Sequence, residues 1–333
     1  MHTLLEITII LLASLLATLL ANRLAIPAVV SQLCVGILIG PSLLNIVHEG
    51  HVLHTLSEIG VILLMFLAGL EANLSLLKKY LKPSLLVAIS GVLIPMLVFY
   101  YATKALGFTL NTSIFYGLVF AATSVSITIE VLQEYNKVKS KIGSVILGAA
   151  VADDIIAVIL LSFFISSSTG YSSSAHMALQ IGLQVLFLIF LLLSVTFFIP
   201  KLYQLTSKVP YFEKDTFLAL LVCFVWSLLA TTVGMSAVIG SFFAGLAIGQ
   251  TGKAKAIEHN MLVIAYSIFI PIFFASIALP LQFDGILSHL NMIIGFTILA
   301  ILTKLLPAYL VGRQFQFSKK ESLSIGAGMV SRG

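Results

Sequence analysis

Two adjacent aspartates, Asp153 and Asp154, stand in the middle of an otherwise apolar run from Gly148 to Leu161. A carboxylate at the centre of a bilayer costs roughly 2.5–3.5 kcal/mol on insertion scales, so a side-by-side pair implies that an ion or a proton is held there. Consecutive helical residues point about 100° apart. One carboxylate can therefore be paired within the protein while the other exchanges its ligand. The same geometry argues against an intramembrane aspartyl protease, whose two acids must face one peptide bond from separate helices. No Ser/His pair lies deep within the apolar segments to suggest a serine protease, since His54, His259 and His289 stand at segment ends. The chemistry expected is reversible binding of a small cation or a proton, and the chain is not expected to be an enzyme.

Such residues need elements that carry them into a bilayer. Hydrophobic residues make up 59% of the 333 and charged residues 9%, against roughly 45–50% and 25% in soluble domains. This defines an all-α polytopic membrane protein, with the lipid bilayer as its first partner. The net charge of +5 comes from basic residues scattered through short connections, so no nucleic acid is expected as a partner. Cys34 and Cys223 lie inside apolar segments and give neither a disulfide framework nor metal-ligand spacing. The first apolar stretch follows Met1-His2-Thr3 without a basic leader and reads as a retained span.

About twelve segments have the length or character of a span, for which roughly 20 apolar residues are expected. They are Thr3–Ala21, Ile26–Gly40, Val52–Leu70, Pro83–Leu106, Thr112–Glu130, Ile142–Ser166, Met177–Pro200, Thr216–Thr232, Met235–Gly249, Ile257–Leu279, Ile286–Gly312 and Glu321 onward. Alternate connections hold Arg23; Lys78, Lys79 and Lys82; Lys137, Lys139 and Lys141; Lys201, Lys208 and Lys214; Lys253 and Lys255; and Arg313, Lys319 and Lys320. The opposite connections, such as Pro41–His51 and Ser166–His176, hold none, and Lys104 lies inside a helix end near that side. The positive-inside rule then places the lysine-rich loops in the cytoplasm and the N-terminus outside, in the cell membrane. Five-helix units starting at the second and ninth spans have opposite orientations, the topology of an inverted repeat with a site at the midplane.

Depth decides which polar residues meet. Asp153 and Asp154 lie about 17 Å into a core about 30 Å thick, counted from Ile142 at the helical rise. Thr123 and Ser124 reach the same depth from the other side, and Lys304 lies about 14 Å from the end marked by Arg313. A Lys at that depth is as costly as an Asp, and one of the two carboxylates is its expected partner. The stretch Ala121–Thr128 carries Thr123, Ser124, Ser126 and Thr128. One hydroxyl is explained by helix packing or a bond to the preceding turn. Four in six residues point instead to a broken helix whose oxygens help coordinate a small hard cation. Gly326-Ala327-Gly328 is the candidate counterpart in the last span.

Other polar residues have plainer readings. His48, Glu49, His51 and His54 could sense pH or bind a metal, with a solvated loop as the simpler account. Glu71, ahead of Lys78 and Lys79, is expected to pair there or to line a cytoplasmic funnel. Gly240, Ala244, Gly245 and Gly249 have small-residue spacing for close helix contact, and Pro271 should kink its helix.

With these residues in view, the chain resembles the NapA-type bacterial sodium/proton antiporters. These belong to the second monovalent cation:proton antiporter group, beside GerN and the Kef potassium-efflux systems. The resemblance rests on Ser57–Glu71, Ala122-Thr123-Ser124-Val125-Ser126, the Asp153-Asp154 pair, Lys304 and Gly328-Met329-Val330-Ser331-Arg332-Gly333. It implies the NapA/NhaA-like inverted-repeat fold with two crossed discontinuous helices, thirteen spans and a homodimer. It also implies one transmembrane domain, residues 1–333, without a soluble regulatory domain. Within it a core, about 83–166 and 286–333, moves against scaffold helices at about 3–70 and 177–279. The resemblance makes Asp154 the ion-binding carboxylate and Asp153 the partner of Lys304, with Thr123 and Ser124 at the helix break and Arg332 a candidate charge partner in the core. The family continues beyond Arg-Gly into another span, so a truncated C-terminus is expected.

The function implied is exchange of Na+ for H+, with Li+ and K+ left open as cargo and no cofactor. The metal involved would be the transported monovalent cation alone. If the Asp153–Lys304 pair opens as the cation binds, two protons exchange for one sodium and transport is electrogenic. Kef-type potassium/proton efflux is the nearest alternative, although Kef systems typically carry Gln-Asp where this chain has Asp153-Asp154. A passive channel fits three buried charges at one depth less well than occlusion does.

Overall fold

A computed structural model describes residues 2–169, 174–206, 213–283 and 286–332. Among the described residues every regular element is helical. In chain order these are α1 (His2–Arg23), α2 (Ala28–Ile39), α3 (His51–Glu71), the short α4 (Leu74–Lys79), α5 (Leu81–Ala105), α6 (Leu110–Ala121), α7 (Val125–Glu134) and α8 (Lys141–Thr169). There follow α9 (Ser174–Leu193), α10 (Ile199–Thr206), α11 (Lys214–Thr232), α12 (Ala237–Gly249), α13 (Ala254–Ile264), α14 (Ile270–Ala278), α15 (Leu290–Gln314) and α16 (Lys319–Gly328). Nine helical stretches of the described residues are long and apolar enough to cross a membrane, and α2 and α12 are shorter apolar helices. With α16 they account for the segments expected from hydropathy.

Local chemistry sets the ends. Asn73, Thr109 and Ser236 each accept a hydrogen bond from a backbone amide two or three residues on, and Ser318 and Glu321 form a capping box at the start of α16. Prolines shape two spans in one way: π-helical turns at Ser194–Phe198 and Ala265–Phe269 each end two residues before a proline, Pro200 and Pro271. A proline lacks the amide that would bond one turn back, and a wider turn absorbs the mismatch. The kink expected at Pro271 takes this form.

The helices pack in two groups. The first is built on α3 against α12, where backbones touch: a Cβ on Gly69 would collide with the carbonyl oxygen of Phe242, and one on Gly245 with that of Phe66. Gly240 meets the Trp226 carbonyl of α11 in the same way, and Gly249 meets Leu70. Ala244 is fully buried between them. Lipid offers no hydrophobic drive for helix association, so this close van der Waals contact is what holds such a pair. Helices α1, α2, α7, α9, α10, α11, α13 and α14 pack onto this pair directly or through one another. The second group joins α5, α6, α8, α15 and α16 around Val87, Ala149, Ala308, Phe317, Ile325 and Met329. Outward-facing Leu16, Phe197, Leu228 and Leu310 are exposed, as lipid contact demands.

One boundary differs from the hydropathy reading. The span expected to end at Glu130 runs on to Glu134, so Glu130 lies a turn inside the helix and is only 2% exposed.

Candidate ion-binding site

The hydroxyl-rich stretch is a true break. Helix α6 stops at Ala121, Ala122 and Ser124 are extended, and α7 begins at Val125. Helix α16 stops at Gly328, and the non-helical residues after it cross the first break. Buried helix ends need partners for their orphaned amides and carbonyls, and here each break supplies the other. Ser124 donates its amide to the Ser331 carbonyl at 3.0 Å, and Ser331 Oγ donates to the Ser124 carbonyl at 2.7 Å. Thr128 Oγ1 donates to the Gly328 carbonyl at 2.7 Å and lies 2.7 Å from Ser331 Oγ.

Against this crossing α8 and α15 bring two opposite charges. Lys304 is 0% exposed and Asp153 1%. Lys304 Nζ donates to Asp153 Oδ2 at 3.1 Å and to Thr123 Oγ1 at 2.5 Å, while the Thr123 hydroxyl donates to Asp153 Oδ2. The lysine has three donors, and the threonine relays one of them to the carboxylate, so neither charge is left uncompensated. Asp154, on the next position of α8, is half-buried and makes no hydrogen bond and no ion pair with any described residue. A cavity of about 490 Å³ reaches the break, lined by Phe115, Val119, Thr123, Ser124, Ala157 and Val158 among others. Ala157 and Val158 lie one helical turn from Asp154. The hydroxyls of Ser124 and Ser126 make no hydrogen bond with described residues, and Ser126 is 8% exposed.

Thr123, Asp153 and Lys304 therefore meet, as their depths imply. Arg332 lies close enough for its charge to act on Asp153 without a direct ion pair; its guanidinium lies over the Phe120 ring and donates to the Ala300 carbonyl, and Nε and Nη1 are buried without a partner among the described residues. Other expectations are corrected. Glu71 forms no ion pair with Lys78 or Lys79. Its carboxylate instead accepts from Gln133 Nε2 at 3.4 Å, inside a cavity of about 450 Å³ that also holds Glu130, Glu134, Lys139, Glu258 and Tyr266. His48, His51 and His54 bond to neighbours on their own turn, to Asn45, Thr55 and Glu58, and no group of three metal-ligating side chains exists among the described residues. Glu130, Gln133 and Tyr266 were not singled out by sequence. The one available signal was a glutamate placed at a span end that a longer helix could bury.

Crossed breaks with a neutralised Asp–Lys pair and an unpaired neighbouring carboxylate define a secondary cation transporter. The chain belongs to the sodium/hydrogen exchanger family, whose transmembrane model matches residues 9–333. It is 43% identical to a Na+/H+ antiporter of Enterococcus hirae, over 98% of this chain and 85% of that one. It is 38% identical to the Na+/H+-K+ antiporter GerN of Bacillus cereus, over 98% and 84%. The fold matches the sodium proton antiporter MjNhaP1 of Methanocaldococcus jannaschii with a TM-score of 0.64 at 17% identity, covering 99% of this chain and 85% of that one.

Proposed function

We propose that Asp154 binds Na+ and H+ in alternation and carries each across the membrane in opposite directions. The carrying observation is an unpaired carboxylate beside a pair already neutralised. Buried in a membrane, a carboxylate is stable when a proton or a cation cancels its charge, and less so bare. Asp154 therefore holds one ligand at a time. The loaded site crosses and the empty charged site does not, so the two fluxes are coupled. The oxygens of Thr123, Ser124 and Ser126 lie on the same break and supply neutral ligands to a hard cation. The helix group carrying the site moves against the α3–α12 group, which stays in place, and a homodimer fixes the latter in the membrane.

Lysine-rich loops put the N-terminus outside and the Glu71 end of the molecule in the cytoplasm. The name of GerN includes K+, so potassium remains a candidate cargo here beside sodium and lithium.

The test is proton flux in proteoliposomes, with internal pH followed by a dye as Na+, Li+ or K+ is added outside. Cation addition outside should drive protons out and alkalinise the lumen, and Asp154→Asn should not respond. Cation entry without linked proton movement would mean a channel and remove Asp154 from its role.

A further inference from the structure

A cavity of about 640 Å³ runs beside Glu130 between α1, α2 and the π-helical turn before α14. None of these three elements contributes a residue to the ion site. Two of the lining side chains are orphaned: Ser14 Oγ on α1 and Gln32 Oε1 on α2 are buried without a hydrogen-bond partner among the described residues. A serine or threonine inside a membrane helix ordinarily turns its hydroxyl to the carbonyl one turn back, as Ser90, Thr103 and Thr303 do. Ser14 does not, although it is only 2% exposed. The backbone supplies a third oxygen. Across the π-helical turn the Ile270 amide bonds the Ala265 carbonyl, and Pro271 has no amide. The Tyr266 carbonyl therefore lacks both donors that helical spacing would offer it, and Tyr266 and Pro271 both line the cavity. Irregular backbone at membrane depth persists where it faces such a cavity, and unwound carbonyls are a recurrent source of cation ligands.

The fourth group is a carboxylate without a counter-ion. Glu130 is 2% exposed, it forms no ion pair with any described residue, and no basic residue lines the cavity. Its one hydrogen-bond donor among the described residues is Tyr266 Oη, at 2.9 Å. The same hydroxyl lies 3.2 Å from Gln133 Oε1, which extends the Gln133–Glu71 contact into a line of four side chains. The heights of the oxygens agree. Glu134 accepts the Ala28 amide at 3.0 Å; Gln32 stands one turn beyond Ala28 on α2, and Glu130 one turn before Glu134 on α7. Ser14 and Gln32 flank the α1–α2 connection, closed by the Ile26 amide on the Ala21 carbonyl at 3.0 Å, at nearly equal distances along their helices. Such a set fits one kind of ligand. The hydroxyl, the amide oxygen and the free carbonyl are neutral oxygens of the type that suits hard cations, and the carboxylate cancels a single positive charge. Water alone would satisfy the neutral oxygens and leave the buried charge bare. A divalent ion would be left one charge in excess.

We propose that Glu130, Gln32, Ser14 and the Tyr266 carbonyl form a second site for a monovalent cation, which holds the ion without carrying it across. Helices α1 and α2 and the π-helical turn belong to the scaffold, so this site does not travel with Asp154. Helix α7 begins at the break beside the ion site and runs past Glu130. A cation in the cavity therefore fastens the helix that carries Ser126 to the scaffold. Filling the site slows exchange, and clearing it frees α7. The division into scaffold and moving helices rests on the exchange reading above.

The experiment measures equilibrium binding of radioactive sodium to the purified full chain, with potassium as competitor. Asp154→Asn removes the exchanging carboxylate, so sodium that this variant still binds is held elsewhere. Binding should remain in Asp154→Asn, and adding Gln32→Leu or Ser14→Ala should weaken it roughly tenfold. Ser14→Ala deletes a hydroxyl without a partner among the described residues, so the melting temperature in sodium-free buffer should not fall. Added sodium should raise the melting temperature of Asp154→Asn and not that of its combination with Gln32→Leu. In proteoliposomes with high sodium on both sides, Gln32→Leu should exchange tracer sodium faster than the wild type. No sodium or potassium binding by Asp154→Asn, or binding that both added substitutions leave unchanged, would overturn the site. Equal tracer rates would overturn the fastening of α7. No cation-driven proton flux in the wild type would instead defeat the exchange reading, with binding to Asp154→Asn still reporting whether the second site is there.

Discussion

At the scale of single residues, neighbours in sequence stand in opposite settings, one paired and one without a described partner, and mutation should separate them. Asp154 has no partner to lose, so Asp154→Asn should abolish exchange while leaving thermal stability in detergent unchanged or slightly raised. Asp153→Asn strips Lys304 of its counter-charge in a fully buried setting, and a broken buried pair costs about 3–5 kcal/mol. A clear drop in melting temperature is expected, largely recovered by adding Lys304→Gln. Equal stability losses in the two aspartate variants would show that the division of labour is wrong. This part of the site was legible in the sequence because burying charge in lipid is so costly that three such groups at one depth must compensate each other. Arg332 was less legible: only the family resemblance marked it as a charge partner, and its contacts with the Phe120 ring and the Ala300 carbonyl leave no trace in sequence spacing.

At the scale of elements, the two breaks and the glycine seam carry the structure. Gly245→Val would push a branched side chain into the Phe66 carbonyl, which is backbone and cannot turn aside. The α3–α12 pair should part, with folded, monodisperse protein lost on size exclusion. Gly295→Val on α15 is the control: no atom lies within 4 Å of the added Cβ, and yield should hold. Capping makes a milder claim. Ser318→Ala removes half of the capping box at the start of α16 and should lower stability by about 1 kcal/mol, read as a shift in melting temperature. Spans, glycine contacts and the proline distortion could be read from sequence because each follows from one local rule. The reach of α7 past Glu130 could not, since hydropathy falls at the first acid whether or not tertiary contacts bury it. The Glu71–Gln133–Tyr266–Glu130 line joins three separate elements and is set by how α3, α7 and the π-helical turn pack. Nothing in the spacing of any one of them predicts it.

At the scale of the whole molecule, the charge count at the midplane decides whether the membrane potential drives transport. Asp153, Asp154 and Lys304 sit together, and with the pair closed Asp154 is the one of the three whose charge is unbalanced by a described ion pair. If Asp154 alone exchanged ligands, one Na+ would return for one H+ and voltage would do no work. If sodium binding draws Asp153 away from Lys304, the lysine gives up its proton in the same half-cycle, and two protons move against one sodium. One net charge per turn then couples transport to the potential at about 2.3 kcal/mol per 100 mV. The variant that separates these cases is Lys304→Gln with Asp153→Asn, which removes both charges of the pair together and strands neither partner. Exchange should persist at reduced rate, and the reversal condition, found by balancing a sodium gradient against a proton gradient at clamped potential, should no longer move with voltage. A reversal condition that shifts equally in wild type and variant would mean that the charge is carried elsewhere, and the pair would be left with the purely structural task that its burial and the Thr123 hydroxyl already explain.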